Sequence, residues 1–360
     1  MTVQNKFLFN FAASYSGGGY KRLYEYAKWF GGKGGAWFVV HENCRSLLTE
    51  FPNNRFFVVR QSRLDRLRDD CGYLAPIGHE IGQPQLYYAY GIPMYTRFGL
   101  VNWFHLSNVL PLAFKGIPVP AIDRVRLRLL GRRIRSGFAS ADVIAAESSY
   151  SLGLIQLGSD QKLFLSVNGS DDELEYIRLA TTESKDDIAT VVGTNSHKAL
   201  DDSFQVFEML RRGNARLKLM LIGNPNDVPG RLRRQPNVIV TGLLTRAEVV
   251  NCLKRSKYYI STTLIENSYN AASEGIFIAD ESYISDIGPH RELLVNMHFD
   301  EVSVLNVARR LLRVRRDELM GAHLKTWSAV IEEMVERFRA EFRRLGTGSG
   351  VPDPQTGHLP

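Results

Sequence analysis

The sequence predicts an α/β protein of two successive domains, each a mostly parallel sheet covered by helices. Three observations carry that expectation. Short apolar runs alternate with helical or loop segments, the chain opens on a strand, glycine loop and helix unit, and the alternation halts near residues 165–180 before starting again.

The first strand is expected at 6–11. It leads through Ser14, Tyr15 and Ser16 into Gly17, Gly18 and Gly19 and a helix over 20–30. Apolar runs at 36–40, 56–59, 101–106 and 143–146 supply further strands. After an acidic stretch at 171–175, a second series begins with a strand at 188–192 and a helix at 198–212. Strands at 217–222, 238–240, 258–260 and 282–285 follow. The last helix falls after the second sheet is complete. The expected division is a first domain over 1–167, a second over 168–325, a helix over 326–345, and a disordered Gly- and Pro-rich tail over 346–360.

Composition narrows the class. A chain of 360 residues with 44% hydrophobic and 11% aromatic residues can bury two sizeable cores. Cys44, Cys71 and Cys252 lie far apart, which argues against a disulfide framework or a zinc site and fits a reducing, cytoplasmic setting. No apolar run reaches the roughly 18 residues needed to span a bilayer, and the histidines show no HxxxH or HExxH spacing. A catalytic metal and a cofactor are therefore not expected. The formal charge of +7 favours anionic partners. Much of it lies at 122–138, where six arginines accompany Asp123 alone. As a helix this segment suits an anionic membrane surface, or else forms an ordinary solvated basic face.

The richest segment is 261–294. Tyr258, Tyr259 and Ile260 end a strand, Asn267 or Ser268 can cap a helix, and Glu266 and Glu274 stand eight positions apart across the junction. Glu266 is thus expected beyond the strand's carboxyl end, where parallel sheets bind ligands, with a helix N-terminus to receive a phosphate. Gly193 ends another strand, and Lys198 opens the next helix within reach of such a phosphate. His105 follows a first-domain strand and is expected to face the same cleft.

These residues resemble the retaining glycosyltransferases of the GT-B fold, the Glu-x7-Glu group that includes bacterial mannosyl- and rhamnosyltransferases. The likeness covers most of the chain. Glu266 and Glu274 match the motif, SDIGPHREL resembles the family's loop ending in a glutamate, here Glu292, and Gly17–Gly19 resembles its N-terminal glycine loop. NVIVTGLL, with Gly242 and Leu243, resembles the segment holding the nucleotide base, and Lys325-Thr326-Trp327 resembles the crossing before the final helix.

The resemblance implies two Rossmann-like domains facing each other across a cleft, with a C-terminal helix crossing back. The first would bind acceptor, through loops such as 77–97, and the second a nucleotide sugar. It implies that Glu266 meets hydroxyls of the donor sugar, Glu274 the ribose, and Lys198 the diphosphate. Gly17, Gly18, Gly19, Gly193, Asn195, Gly242, Leu243, Tyr269 and Asn270 would line the donor, and His105 would contact the sugar. The implied reaction moves a mannose- or rhamnose-like sugar, with retention and without metal, from a GDP-, UDP- or dTDP-linked donor to a growing, lipid-linked glycan such as O-antigen, capsule or lipopolysaccharide, at the inner face of the cytoplasmic membrane. One departure stands out: Thr194 and Asn195 follow Gly193 where the family carries an arginine, and Arg246 lies far along the chain. Rival readings are an epimerase or hydrolase of sugar nucleotides on the same architecture, and a non-catalytic basic binding protein. Nucleic acid is not an expected partner, since no recognised module for it appears.

Overall fold

The computed structural model describes residues 6–60, 71–158, 161–170, 185–297, 303–318 and 325–346. The acidic stretch 171–175 and the tail beyond 346 lie outside the described residues. The chain divides into two compact units, one of residues 1–112, 125–169 and 327–360, the other of 113–124 and 170–326.

The first unit holds a seven-stranded parallel sheet in the order β3-β2-β1-β4-β5-β6-β7. Its strands are β1 (Phe7–Phe11), β2 (Trp37–His41), β3 (Arg55–Val59), β4 (Leu86–Tyr90), β5 (Val101–Leu106), β6 (Val143–Ala146) and β7 (Lys162–Leu165). Every residue of β1, β4 and β5 is buried, as a sheet covered on both faces requires. The core is aromatic. Phe9 stacks on Phe38 at 5.2 Å and meets Tyr26 edge-on at 5.5 Å, tying the helix Gly17–Gly31 to the sheet. The final helix, Trp327–Gly346, packs on the same core through Trp327, Ile331, Met334, Val335 and Phe338, a stripe at helical spacing.

Residues 77–97, expected to be acceptor loops, are about half framework, with loops at 82–85 and 91–97. The helix Cys71–Ile81 ends within them, and β4 lies beside β1 at the middle of the sheet. Tyrosines make the difference here. LYYAY carries few aliphatic side chains, but Tyr87 and Tyr88 are fully buried, and the Tyr87 hydroxyl accepts a 2.9 Å bond from Asn10 Nδ2.

The segment 122–138 is a helix, Ala121–Phe138. Leu127, Gly131, Ile134, Gly137 and Phe138 form its buried face. A Cβ on Gly131 would stand 2.3 Å from Pro111 O, and one on Gly137 2.8 Å from Met94 N, so the two glycines let this helix lie close against backbone.

The second unit is a seven-stranded sheet in the order β10-β9-β8-β11-β12-β14-β13. Its strands are β8 (Asp186–Val192), β9 (Lys218–Ile222), β10 (Val238–Gly242), β11 (Ser256–Ser261), β12 (Glu281–Ser285), β13 (Ser303–Asn306) and β14 (Arg310–Arg315). The first five are parallel. β14 joins β12 antiparallel and β13 completes the edge as a hairpin, a pair absent from the sequence expectation.

Candidate functional site: a paired-charge cluster in the second unit

β8 and β11 are neighbours in the sheet, so the segments leaving their carboxyl ends lie side by side. After β8 the chain turns at Gly193, whose φ of +94° is a glycine conformation. A Cβ there would meet Lys198 Cε at 2.9 Å, so the bare glycine lets the lysine stem lie across the turn. Gly223, Thr194 and Asn224 brace the far side, with Thr194 Oγ1 donating to Asn224 O at 3.1 Å.

Lys198 does not open the following helix, as the sequence suggested. It closes a 3₁₀ turn, Ser196–Lys198, and Ala199 at φ +47° separates that turn from the helix Leu200–Arg211. A left-handed alanine is unfavourable by about 1–2 kcal/mol, and neighbouring hydrogen bonds hold it. Thr262 Oγ1 donates to Ala199 O at 2.9 Å and to Lys198 O at 3.1 Å, while Leu264 N donates to His197 O at 2.8 Å. The loop after β11 is thereby stitched to the turn after β8.

That stitching delivers Glu266 to Lys198, and the two form a direct ion pair. The side chains are 22% and 13% exposed, so the pair is partly shielded. Burial pushes the Glu266 carboxyl up, but the Lys198 ammonium outweighs it, and Glu266 is held below its ordinary range. The His290 ring is fully buried and pushed down to about 4 by that burial, with Nδ1 donating to Ser285 O at 2.8 Å. It remains neutral at physiological pH. The sequence GPHREL points to Glu292, while the structure adds His290 beside the pair. Both residues lie in the helix Gly288–Asn296, not in a loop.

The helix carrying Glu274 runs from Asn270 to Ile278 with Tyr269 as N-cap, so neither Asn267 nor Ser268 caps it. Asn267 is itself buried in the loop, and Ser268 Oγ lies 3.5 Å from Asn270 Oδ1. Tyr269 supplies no side-chain cap. Gly275 presses on the Tyr259 ring, where a Cβ would stand 2.3 Å from Cδ1, and this fixes the helix against β11. Glu274 pairs directly with Arg246, the first residue of the helix Arg246–Arg255. Arg246, dismissed on sequence separation, is brought to the motif by the packing of these two helices.

Of the remaining expected donor residues, Asn195 is exposed before the 3₁₀ turn. Gly242 ends β10 at φ +84° and Leu243 follows it, 84% exposed. Gly17, Gly18 and Gly19 begin the first unit's helix Gly17–Gly31, with Gly17 at φ +62°.

His105 stands inside β5 and has no exposed surface, so the expected direct contact with a sugar is not open to it in this arrangement. It belongs to a buried network instead. Tyr88 OH lies 2.8 Å from its Nδ1, and its Nε2 faces Glu147 Oε1 at 3.6 Å. The same carboxylate oxygen accepts from Tyr90 OH at 2.6 Å and lies 3.6 Å from Arg22 Nε. Burial first, then the Arg22 charge, lowers His105 to about 4. A neutral ring with its proton on Nε2 suits both neighbours. Glu147 is pushed up by burial but held below its usual value by His105, Arg22 and Tyr90. The network touches the glycine loop: a Cβ on Gly19 would stand 3.3 Å from Tyr90 Cε1.

No family profile matches the chain. No curated protein matches it in sequence. Solved structures do match. Sucrose-phosphate synthase from Thermosynechococcus elongatus is 10% identical with a TM-score of 0.64, over 91% of this chain and 94% of that one. WaaG, a glycosyltransferase involved in lipopolysaccharide biosynthesis, is 12% identical with a TM-score of 0.58, over 95% of each chain. Both are α/β proteins of the same architecture as the paired seven-stranded sheets described above. The chain has the GT-B fold. Anabaena HepE in complex with UDP-glucose is a further match at 14% identity and a TM-score of 0.53, over 80% of this chain and 82% of that one. Among the described residues no group of three or more His, Cys, Asp or Glu is placed to hold a metal ion.

Proposed function

We propose that this GT-B protein transfers a sugar from a nucleotide-diphosphate donor to a glycan acceptor, with retention of anomeric configuration. The observation that carries this is the Glu266–Lys198 pair at the carboxyl ends of β8 and β11. An ionised carboxylate accepts hydrogen bonds from sugar hydroxyls, and an ammonium beside it receives the charge that builds on a departing diphosphate. Such a leaving group needs charge stabilisation more than a base, so the lysine and the start of the helix Asn270–Ile278 serve without a metal. Glu274 takes the ribose hydroxyls, and Gly242 with Leu243 lies along the base. The complex of Anabaena HepE with UDP-glucose and the role of WaaG in lipopolysaccharide biosynthesis support this choice of donor class and of a bacterial glycan acceptor. We extend it to a mannose- or rhamnose-like sugar and a lipid-linked acceptor.

The test is a panel of UDP-, GDP- and dTDP-sugars incubated with the protein and a lipid-linked glycan acceptor, with release of nucleoside diphosphate and mass of the product as readouts. Acceptor-dependent release with one donor is expected. Release that ignores acceptor would point to a hydrolase, and a rearranged sugar on an intact nucleotide to an epimerase.

The helix Ala121–Phe138 supports a membrane-facing acceptor. No described helix is long and apolar enough to cross a membrane. Opposite its buried face, this one exposes Ile122 (80%), Val125 (56%) and Leu129 (45%) at spacings of three and four, and Arg124, Arg126, Arg128, Arg132, Arg133 and Arg135 are exposed along it. An apolar ridge among arginines is suited to the headgroup region of an anionic bilayer. Binding to phosphatidylglycerol vesicles at low salt is expected, with release at high salt, as a Debye length of about 10 Å at 0.1 M dictates. Co-sedimentation should weaken several-fold on changing Arg124, Arg128 and Arg132 together to glutamine. Binding equal in both proteins would remove the helix from this role.

A further inference from the structure

We propose that Arg246 is a phosphate-binding residue of the donor pocket, the second cation that a nucleoside diphosphate meets there. This rests on the donor reading above and adds a residue to it.

The argument begins with charge. Glu266 and Glu274 place two carboxylates at the pocket, and Lys198 places one ammonium beside the first. The two nearby rings do not alter this balance, since burial lowers both His290 and His197 below their ordinary values. Where an arginine might have followed Gly193, the chain has Thr194 and Asn195. Thr194 is buried with its hydroxyl committed to Asn224 O, and Asn195 is neutral. With one cation against two carboxylates, a diphosphate would approach a pocket of its own sign. Arg246, paired with Glu274, brings the group to neutrality.

The arrangement then permits exchange. In the ligand-free protein Glu266 pairs with Lys198 and Glu274 pairs with Arg246. Sugar and ribose hydroxyls can donate to the carboxylates, and the two cations are then free to turn to the diphosphate. Charges are redistributed and none is left unpaired, which avoids the penalty of stranding a desolvated ion. A guanidinium suits this task because its fork can hold a carboxylate and a phosphate oxygen together.

The placement of Arg246 fits a contact from the solvent side. Its side chain is 35% exposed against 15% for Glu274, so the guanidinium is the more accessible partner of the pair. A capping box at this helix start engages the amides of Thr245 and Glu248, with Thr245 N donating to Glu248 Oε2 at 2.7 Å, and the Arg246 side chain adds a fixed positive charge beside it.

The experiment compares two ligands on three proteins. Calorimetry with UDP, GDP, ADP and dTDP identifies the diphosphate that the wild-type protein binds best. That diphosphate and the matching nucleoside are then titrated into wild type, Arg246→Gln and Glu274→Gln, with melting curves confirming folded protein. Arg246→Gln is expected to weaken the diphosphate by roughly 10- to 100-fold, the range of a charge-assisted contact, while the nucleoside changes little. Glu274→Gln, which releases Arg246 from its carboxylate, is expected to raise the ratio of diphosphate to nucleoside affinity. If Arg246→Gln weakens both ligands equally, Arg246 only positions Glu274 and the proposal is overturned. If wild type binds none of the four diphosphates, the donor reading itself fails, a result separable from the first. An Arg246→Gln protein that does not fold is replaced by Arg246→Lys, for which a smaller loss confined to the diphosphate is expected and an equal loss on both ligands again overturns the proposal.

Discussion

Replacing Glu266 by alanine is expected to lower sugar transfer by roughly 100- to 1,000-fold, the usual effect of removing one preorganised electrostatic partner of a transition state, while nucleoside diphosphate affinity stays close to wild type. The two effects separate because the carboxylate and the ammonium have different ligands. Glu266 meets hydroxyls of the sugar being transferred, whose bonds tighten as the anomeric carbon gains positive character. Lys198 meets the diphosphate, and without Glu266 it loses a competitor for that bond. Lys198→Ala is therefore expected to lose affinity and rate together. Neither change is structurally silent, since each strands a partly shielded charge of the Glu266–Lys198 pair. Glu266→Gln, which keeps the shape and removes the charge, checks this. Its melting temperature should lie above that of Glu266→Ala, because the amide oxygen still accepts from Lys198, while turnover falls. Full turnover in Glu266→Ala with the true donor would remove the residue from the site, and parallel loss of binding and turnover would mark it as structural.

The two glutamates were legible in the sequence because a strand-to-helix junction is local: one buried strand, one turn and one helix fix where both carboxylates go. Lys198 was legible for the same reason, beside a glycine at a strand's end. Arg246 was not, because its distance from Glu274 is set by how two helices lie on the sheet, and no short pattern encodes that. The buried strands β1, β5 and β11 could be read from runs of apolar residues. β4 could not, since its burial depends on Asn10 and its neighbours satisfying tyrosine hydroxyls. β14 carries Arg310, Arg313 and Arg315 between its apolar positions, and Arg313, opposite Tyr283, pairs diagonally with Glu281 of β12 at 2.5 Å. Such a strand looks polar until its antiparallel partner is known. His105 was expected just past its strand but stands inside β5, and its depth depends on Tyr88, from the middle of β4, and Glu147, just after β6.

Replacing Arg22 by methionine is expected to destabilise the first unit by roughly 3–5 kcal/mol, the cost of breaking a buried ion pair from one side. Arg22 is fully buried in the helix after the glycine loop. Its Nη2 donates to Ser166 O at 2.9 Å, Val167 O at 3.1 Å and Asn168 Oδ1 at 2.9 Å, and its Nη1 donates to Ser166 Oγ at 3.1 Å. These acceptors form the segment on which the chain leaves the unit, which ends at Gly169. The guanidinium also lies 5.3 Å from the Trp327 ring, where the returning chain enters the final helix. Methionine fills much of the volume but donates nothing. Glu147, 4% exposed, then loses its guanidinium neighbour, and two main-chain carbonyls lose their donor. At roughly 2–4 °C per kcal/mol for a unit of this size, the melting temperature should fall by roughly 6–20 °C. The pairwise part of the effect is separable. Arg22→Met combined with Glu147→Leu removes both charges and should be more stable than Arg22→Met alone, because no buried ion remains uncompensated. If the double variant melts no higher than the single one, the Glu147 charge is not what Arg22 offsets, and the hydrogen bonds to Ser166, Val167 and Asn168 carry the stability of this crossing.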